Sequence, residues 1–309
     1  MVSPVTLYVF NPEHDLCLAN GDPNYVPPQS ALDFARRGKG VMQTLYGDDA
    51  VVIAADDYAD WSRMTPDVVV DRIVPWGWDA RLKQTLLKQG ADSALLPSDL
   101  YIDKLRNLQH RSTILSLQPM AFSVRSASEV DSLLAEYKRL VLKAPWSGSG
   151  RGLRWVDGHL STHDEAWLAK TVVAQRCAIA EVRYDVDQDF AFEFHIDHGI
   201  VRTVGLSLFA TQSGIYRHNV LLSDDDIRDR VGITPELESG LRHWLQLNIV
   251  PYYNGFLGVD LFSTADGNLV VSELNLRHTM GLVAHRFLQL HPDKAGQNWA
   301  PDLKADYSI

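Results

Sequence analysis

The sequence contains little cysteine and no long apolar segment. Cys17 and Cys177 are its two cysteines, far apart in the chain, so neither a disulfide framework nor a zinc cluster is expected. This usage is typical of a reducing, cytoplasmic environment. No apolar run reaches the length of a membrane span, and no basic leader precedes the apolar part of the N-terminal MVSPVTLYVF. We therefore predict a first strand there, not a signal peptide, and no membrane partner.

Basic residues are in the minority. There are 29 Lys and Arg against 39 Asp and Glu, which gives a formal net charge of −10. This balance argues against nucleic acid as a partner, because no broad basic face offsets it. The chain has 309 residues and is 46% hydrophobic and 22% charged, as is usual for a soluble enzyme with a sizeable core.

The hydrophobic pattern changes along the chain and predicts an α/β plus α+β fold. In the first hundred residues, apolar runs typical of buried parallel strands alternate with helical patterns: Leu7–Phe10, Val51–Ala54 and Ile73–Val74 for strands, Ala80–Lys88 for a helix. Later strands form hairpin-like pairs: 140–143 with 153–156, 190–196 with 200–207, and 256–263 with 268–275. Further helices are predicted over Glu236–Leu247 and Gly281–Leu290.

We expect two domains. Residues 1–97 form an open α/β domain, and residues 98–309 form a domain with antiparallel sheets, divided into a small lobe (about 120–180) and a large lobe (about 181–309). Ser98 is a suitable N-cap for the first helix of the second domain.

Two polar loops contain candidate substrate ligands. Asn11, Glu13 and His14 follow the first strand, and ligands of open α/β sheets bind beyond the carboxyl ends of strands. The alternative is that they cap a helix and satisfy loop backbone groups. Arg217 and Asn219 lie in SGIYRHNV. Arg217 is expected either to bind an anionic substrate or to form an ion pair with an acidic residue on the protein surface.

The stretch GFLGVDLFSTADGNLVVSELNLR predicts a hairpin with a two-residue Asp-Gly turn. Counting outward from that turn places Asp260 directly opposite Glu273. Asn275 and Arg277 then share their face of the hairpin, while the leucines and valines between them occupy the other face.

Two opposed carboxylates repel each other unless a cation lies between them. Asp260, Glu273 and Asn275 offer three oxygen ligands, which suit Mg²⁺, and Mg²⁺ usually completes its shell with water and substrate phosphates. The hairpin therefore predicts a phosphate-bearing ligand. The alternative is a solvated polar face on an edge hairpin.

The stretch LVLKAPWSGSGRGLRWV predicts a strand, a glycine-rich loop and a returning strand. Alternate glycines allow backbone N–H groups to approach an anion, and Lys143 adds a positive charge beside them. A flexible hairpin tip is the alternative.

In TVVAQRCAIAEV we predict a strand over Thr171–Ala174, which is either a nucleotide-binding hinge or an ordinary core strand.

Taken in order, these pieces resemble the motifs of the ATP-grasp superfamily over about residues 98–290. The matching positions are Asp103-Lys104 on a helix, Lys143 before the loop Trp146–Gly152, the hinge strand Val172–Cys177, Asp260, and the motif Glu273-x-Asn275-x-Arg277. The first hundred residues resemble, in architecture, the domain that commonly precedes an ATP-grasp fold.

The resemblance implies ATP and Mg²⁺ as cofactors and assigns roles to the matched residues. ATP would be bound by Lys104, Lys143, Ser147, Gly148, Ser149 and Gly150, with Gln175, Arg176 and Cys177 at the adenine hinge. Mg²⁺ would be held by Asp260, Glu273 and Asn275, and catalysis would use Arg277 and Lys143. The ribose-binding acid would be one of Glu181, Asp185, Asp187, Asp189 and Glu193.

The activity implied by the resemblance is ligation. A small-molecule or peptide carboxylate would be activated as an acyl phosphate and attacked by an amine or thiol acceptor. The alternatives are a kinase-type phosphoryl transfer on the same fold and a non-catalytic nucleotide-binding protein.

Overall fold

The computed structural model describes residues 4–147, 152–212 and 214–301. Within these ranges the strands, in chain order, are β1 (Val5–Val9), β2 (Val51–Ile53), β3 (Val70–Pro75), β4 (Ala121–Val124), β5 (Arg139–Lys143), β6 (Leu153–Asp157), β7 (Ala178–Val182), β8 (Val186–Asp197), β9 (Ile200–Gln212), β10 (Ile215–Val220), β11 (Gly255–Thr264), β12 (Leu269–Asn275) and β13 (Asn298–Trp299).

The α-helices of the same ranges are α1 (His14–Asn20), α2 (Gln29–Arg37), α3 (Lys39–Tyr46), α4 (Tyr58–Met64), α5 (Ala80–Lys88), α6 (Asp99–Leu108), α7 (Ala127–Tyr137), α8 (Thr162–Gln175), α9 (Asp224–Val231), α10 (Pro235–Asn248) and α11 (Met280–Leu290). Short 3-10 helices occur at Ala55–Asp57, Ser93–Leu95, Arg111–Leu117 and Pro292–Lys294. No helix of the described part is long and apolar enough to cross a membrane.

The N-terminal sheet is parallel, as the buried apolar runs predict. Strand β1 lies between β2 and β3, and its inward side chains pack on α5 around a core that includes Leu7, Val9 and Leu82. The prediction of a helix over Ala80–Lys88 is confirmed. Helix α6 begins after Ser98, whose Oγ accepts a hydrogen bond from the Tyr101 N–H at 3.2 Å. The division at 97/98 stays a prediction.

A four-stranded antiparallel sheet follows, in the order β4-β7-β5-β6. Its hairpin β5–β6 pairs Lys143 with Leu153 and Leu140 with Val156, which confirms the pairing of 140–143 with 153–156. Helices α7 and α8 cover one face of this sheet and form a core with it. The glycine-rich loop connects β5 to β6, so Lys143 stands at the point where the loop begins.

The predicted strand at Thr171–Ala174 is wrong, because these residues form the last turns of helix α8. The helix begins with a capping box, in which Ser161 and Asp164 exchange side-chain to backbone hydrogen bonds. It ends at Arg176, which adopts the left-handed conformation with φ of 72°. A short apolar run is compatible with the two-residue period of a strand and with the 3.6-residue period of a helix. Here the strong N-cap of α8 favours the helix.

A six-stranded sheet, in the order β12-β11-β8-β9-β10-β13, forms the rest of the described chain. Residues 190–196 pair with 200–207 as predicted. The helices predicted at Glu236–Leu247 and Gly281–Leu290 are present as α10 and α11. The apolar face of the sheet and helix α10 form the largest core of the molecule, with Phe190, Phe192 and Leu245 fully buried.

The hairpin β11–β12 has the predicted acid pair but not the predicted turn. Thr264 and Asn268 close a loop of three residues instead of two. That extra residue alone would shift the strand register by one and place the side chains of one strand on the opposite face of the sheet. A β-bulge at Ser272 compensates for it, and Asp260 therefore pairs with Glu273 as predicted.

Candidate active site

A cavity of about 480 Å³ is lined by both antiparallel sheets. Its volume is within the range of small-molecule sites, about 300–1,000 Å³. The polar face of the six-stranded sheet forms its floor, and the four-stranded sheet contributes Val141, Lys143 and Trp155 to the opposite wall. The N-terminal part of the chain reaches the cavity through Asp15.

The opposed acids Asp260 and Glu273 lie on the floor of this cavity. The Asp260 carboxylate accepts a hydrogen bond from Asn275 Nδ2 at 3.0 Å. Burial, the facing Glu273 and the neighbouring Glu193 together raise the pKa of Asp260 well above its ordinary value. Glu273 instead accepts a hydrogen bond from Arg111 Nη2 at 2.6 Å. The floor therefore contains more negative charge than its own cations neutralise.

This donor set fits a hard divalent cation. The carboxylates of Asp260 and Glu273 offer oxygen ligands, and burial together with the charges of Glu273 and Glu193 raises the pKa of Asp260. The Asn275 amide donates from Nδ2 to Asp260 while its Oδ1 accepts from Arg277, so its oxygen would reach a cation at the acid pair only after the amide rotates. Among the described residues no cluster of three or more His, Cys, Asp or Glu could hold a metal by itself. An incomplete shell of this kind suits Mg²⁺, which takes its remaining ligands from water and substrate phosphates.

Lys143 lies in the cavity, at the end of β5. Its Nζ atom is 2.6 Å from Glu181 Oε2 and 3.5 Å from Ser272 Oγ. Lys143 thus spans the gap between the two antiparallel sheets. The other oxygen of Glu181, Oε1, is buried and has no hydrogen-bond partner within the described ranges.

The predicted adenine hinge, Gln175 to Cys177, lies outside the lining of this cavity. Gln175 exchanges hydrogen bonds with the backbone of Trp146, accepting at 2.8 Å and donating at 3.3 Å, so it holds the start of the glycine-rich loop. Arg176 is the exposed C-cap of α8, and Cys177 is buried ahead of β7. None of the three is among the residues that line the cavity; the segment 181–184, which follows along β7, does line it.

Lys104 is also not among the lining residues. Its Nζ atom lies 3.7 Å from the centre of the Tyr252 ring, in a cation–π contact on helix α6. The cation that reaches the cavity from this part of the chain is Arg111, at the start of a 3-10 helix. No periodic pattern marks Arg111 in the sequence, because a 3-10 segment is too short to have a recognisable amphipathic pattern.

Arg111 joins the glycine-rich loop to the acid pair. Its Nη1 donates to Ser147 Oγ and to Ala144 O, both at 2.7 Å, while its Nη2 donates to Glu273. Ser147 is therefore connected to Glu273 of the cavity floor through Arg111, and its predicted role as an ATP ligand stays a prediction. Gly148, Ser149 and Gly150, which the sequence also predicts as nucleotide ligands, lie outside the described residues.

Arg277 lines the cavity at the end of β12 and forms a bidentate ion pair with Asp15. The Nε–Oδ1 and Nη2–Oδ2 distances are both 2.9 Å. Nη2 also donates to Asn275 Oδ1 at 3.0 Å. Burial alone would raise the pKa of Asp15, but the charge and hydrogen bond of Arg277, together with the charges of His14 and Arg111, outweigh burial and lower this pKa. Asp15 belongs to the polar loop after β1 that the sequence singled out.

The three predicted substrate ligands of that loop face inward. Asn11, Glu13 and His14 are 1%, 3% and 0% exposed, and they are not among the residues lining the cavity. Asn11 donates to Gly77 O at 2.8 Å, and His14 lies 3.1 Å from Asp79. The alternative interpretation, in which these residues satisfy buried groups of the loop, is the one the geometry favours.

Glu13 accepts a hydrogen bond from Arg81 at 3.0 Å, while its second oxygen has no partner within the described ranges. Burial raises the pKa of Glu13 to about 7.

The two residues predicted in SGIYRHNV differ from each other. Arg217 is the exposed residue of a β-bulge, whereas Asn219 is buried, lines the cavity and accepts a hydrogen bond from Tyr216 at 2.6 Å.

Among the five acids considered for ribose binding, Asp189 and Glu193 line the inner floor. Asp189 accepts a hydrogen bond from Thr211 Oγ1 at 2.7 Å, and burial raises its pKa. Asp185 and Asp187 are exposed, away from the floor. Glu193 is 1% exposed and therefore differs from the others in being fully buried.

Comparison with known proteins places this arrangement in a known fold. No protein-family model and no curated protein matches the chain. Among solved structures, D-alanyl-alanine synthetase A from Vibrio cholerae superposes with a TM-score of 0.55 at 11% identity, covering 94% of each chain. N5-carboxyaminoimidazole synthetase from Staphylococcus aureus, complexed with ADP, gives 0.54 at 14% identity, covering 97% of this chain and 79% of that one.

Biotin carboxylase from Campylobacter jejuni gives a TM-score of 0.55 at 13% identity and covers 96% of this chain and 72% of the other. These structural neighbours are ATP-grasp enzymes. The protein therefore has the ATP-grasp fold, as the motifs predict, and at these identities the likeness defines the fold.

Proposed function

We propose that the protein is an Mg²⁺- and ATP-dependent ligase that joins a carboxylate to an acceptor through an acyl phosphate. The observation that carries the proposal is the pair Asp260 and Glu273, opposed on the floor of a cavity of about 480 Å³. Opposed carboxylates in a partly apolar cavity are unfavourable unless a cation joins them. A cation with open coordination positions requires a ligand rich in anionic oxygen.

The nucleotide would lie between the two antiparallel sheets. The segment 181–184 replaces 175–177 as the adenine-binding segment, because it is the part of the connection that lines the cavity. The unpartnered Oε1 of Glu181 offers an acceptor to an exocyclic amine there. Asp189, which lines the cavity, would bind a ribose hydroxyl, and the lining cations Lys143 and Arg111 would contact the phosphates.

The chain's residues would act mainly by positioning and charge neutralisation. Asp260, Glu273 and Asn275 would hold Mg²⁺, which when bound neutralises phosphate oxygens. A carboxylate oxygen of the substrate would attack the γ-phosphorus of ATP, releasing ADP and forming the acyl phosphate. Arg277, fixed by Asp15, would orient the anionic groups during this step. Attack of the acceptor on the acyl carbon would then release inorganic phosphate.

The similar structures support the nucleotide and the class of reaction. The Staphylococcus aureus synthetase is complexed with ADP, and the Vibrio cholerae protein is a synthetase that produces D-alanyl-alanine. Ligation is favoured over the kinase-type alternative because these neighbours join two substrates. That the present protein catalyses the same class of reaction is part of the proposal.

The test is a screen for phosphate release from ATP and Mg²⁺ with pooled carboxylic acids, each pool with and without pooled amines and thiols. We expect ADP and phosphate to accumulate when an acid and an acceptor are both present. The Asp260→Asn and Glu273→Gln variants should abolish this activity. The matched control is Asp266→Asn, which changes an exposed carboxylate in the turn of the same hairpin.

Each alternative predicts a different product. A stable phosphorylated acid that forms without an acceptor would identify a kinase. Nucleotide binding that requires Asp260 but never yields ADP with any acid would identify a nucleotide-binding protein. Full activity in the Asp260→Asn variant would show that the acid pair is not the metal site.

A further inference from the structure

The side-chain amide of Asn275 is hydrogen-bonded at both ends. Its Nδ2 donates to Asp260 at 3.0 Å, and its Oδ1 accepts from Arg277 Nη2 at 3.0 Å. The orientation is determined by Arg277, because a guanidinium has only N–H donors and therefore requires the amide oxygen on its side. Asn275 is 7% exposed, so water competes little for either partner. In this orientation Asn275 presents an N–H group to the acid pair and not an oxygen.

The guanidinium of Arg277 has five N–H groups, and described residues accept from four of them. Asp15 accepts from Nε and from one N–H of Nη2, both at 2.9 Å. The carbonyl oxygen of His278 accepts from Nη1 at 3.0 Å, and Asn275 accepts from the second N–H of Nη2. The second N–H of Nη1 has no acceptor within the described ranges. Arg277 thus offers a ligand a single N–H group as long as Asn275 keeps its orientation.

A cation at the acid pair reverses what Asn275 must present. Beside Asp260 and Glu273 a divalent ion requires oxygen ligands, and the Asn275 oxygen reaches that side when the amide rotates. The rotation exchanges Oδ1 and Nδ2, which are similar in size, so it requires no additional space. It also ends the hydrogen bond from Arg277, since an N–H group then faces another N–H group. Nη2 is left with a free N–H in a side chain that is only 16% exposed.

This rotation would create an anion site on Arg277. Nη1 and Nη2 would each have one free N–H, and a guanidinium that offers two N–H groups can bind a carboxylate through both oxygens. Arg277, Asn275 and Asp15 line the cavity of about 480 Å³, and a smaller cavity of about 20 Å³ adjoins Asn275 and Asp15. A ligand oxygen therefore has access to these groups. Neutralisation of the acid pair by the cation also removes a charge that repels anions.

We propose that Asn275 couples the two ligands of the site. Its amide rotates when the divalent cation binds at the acid pair, and the rotation makes Arg277 available to the carboxylate of the acid substrate. The cation therefore binds before the acid. The inference rests on the proposed ligase function and adds an order of binding to it. Asp15 and His278 hold the guanidinium in both states, so the bond between Arg277 and Asn275 is the one that changes.

The test measures the affinity for acetate, a minimal carboxylate, in protein saturated with ADP. Binding is followed by the NMR signal of the Arg277 Nε–H group, with and without Mg²⁺. We expect acetate to bind the wild type about tenfold more tightly when Mg²⁺ is present, as release of one charge-assisted hydrogen bond implies. The side-chain amide signals of Asn275 should shift on addition of Mg²⁺, while those of the exposed Asn268 should not.

The decisive variant is Asn275→Leu without Mg²⁺. Leucine has a similar shape and the same charge, but it cannot accept the hydrogen bond from Arg277. Without Mg²⁺ the variant should therefore bind acetate more tightly than the wild type does, although it lacks a proposed metal ligand. Asn275→Ala provides the same comparison if the leucine variant does not fold. The matched control is Asn268→Leu, which changes an exposed asparagine of the same hairpin and should leave acetate binding unchanged.

Two results would overturn the proposal. One is an acetate affinity of the wild type that does not depend on Mg²⁺. The other is a metal-free Asn275→Leu variant that binds acetate no better than the metal-free wild type. A purely structural role of Asn275 predicts that second result together with a lower melting temperature. Failure of the ligase proposal is distinguishable, because it appears as ADP binding by the wild type that does not depend on Mg²⁺.

Discussion

Replacing Asp260 by Asn should make the protein more stable when neither nucleotide nor Mg²⁺ is present. In the wild type, burial and the facing carboxylate of Glu273 raise the pKa of Asp260 well above its ordinary value. The folded state therefore either retains a proton on Asp260 or tolerates the repulsion. An amide of the same shape removes the charge and can keep its contact with Asn275 after a rotation of one side-chain amide.

The size of the effect follows from the pairing of the two strands. Side chains opposite each other on antiparallel strands lie about 5 Å apart. Two unit charges at about 5 Å interact by about 3 kcal/mol at an effective dielectric constant of about 20. Arg111 neutralises part of the charge on Glu273. We therefore expect a gain of about 1–2 kcal/mol in the free energy of unfolding, or about 2–5 °C in melting temperature.

The gain should depend on pH in a defined direction. Because the folded-state pKa of Asp260 is raised, the folded wild type binds more protons than the unfolded chain between the two pKa values. Its stability therefore falls as pH rises through that window, from the ordinary carboxyl value upward. Asn at this position does not titrate. The difference between variant and wild type should be small at low pH and should reach its full size above the folded-state pKa.

Urea unfolding of both proteins across this pH range measures the difference directly, and Asp266→Asn provides the control. Saturating Mg²⁺ and ADP should reverse the order, since they stabilise only the protein that binds them. A variant that is less stable than the wild type at high pH without ligand would refute the argument. So would a variant that gains as much as the wild type from Mg²⁺ and ADP.

The remaining predictions concern residues around the cavity. Asp15→Asn should lower the free energy of unfolding by about 1–3 kcal/mol in urea at neutral pH, because it leaves the partly buried guanidinium of Arg277 without its ion-pair partner; since the pKa of Asp15 is depressed, the loss should vanish as pH falls below that pKa. Arg176→Gly should raise the melting temperature through a gain of about 0.5–1 kcal/mol, since Arg176 is left-handed at a helix end, and it should leave ADP affinity unchanged by calorimetry. Lys104→Ala should likewise retain ADP affinity, whereas Arg111→Ala should weaken ADP binding at least tenfold in the same assay.

The antiparallel core of the fold could be predicted because its signals are local and strong. Alternating apolar residues define β8, β11 and β12, and the Asp-Gly turn fixes where the last hairpin reverses. Even so, the correct pairing of Asp260 with Glu273 came from two deviations that cancel, a longer turn and a bulge at Ser272. Neither deviation has a distinct sequence signature, so register counted from a turn is correct here only because the bulge restores it.

Residues 171–177 show why the other part of the site could not be predicted. The run TVVA satisfies a strand pattern, and the resemblance required a strand near this point. The helix is specified ten residues earlier, by the capping box of Ser161 and Asp164, which lies outside the apolar run itself. The residues that line the cavity are instead 181–184, at the far end of β7.

The polar loop after β1 illustrates how a functional pattern and a structural one coexist. Its density of polar groups suggested direct substrate binding, yet Asn11 and His14 are occupied with Gly77 and Asp79 inside the N-terminal part. Asp15, the next residue, leaves this network and reaches Arg277. A buried hydrogen-bond network of this kind, in which Glu13 Oε2 is the one buried side-chain oxygen of the described loop residues left without a partner, holds the neighbouring carboxylate rigidly. The loop thus contributes to the site through its support of Asp15, and loss of that support should disturb Arg277 before it disturbs the fold.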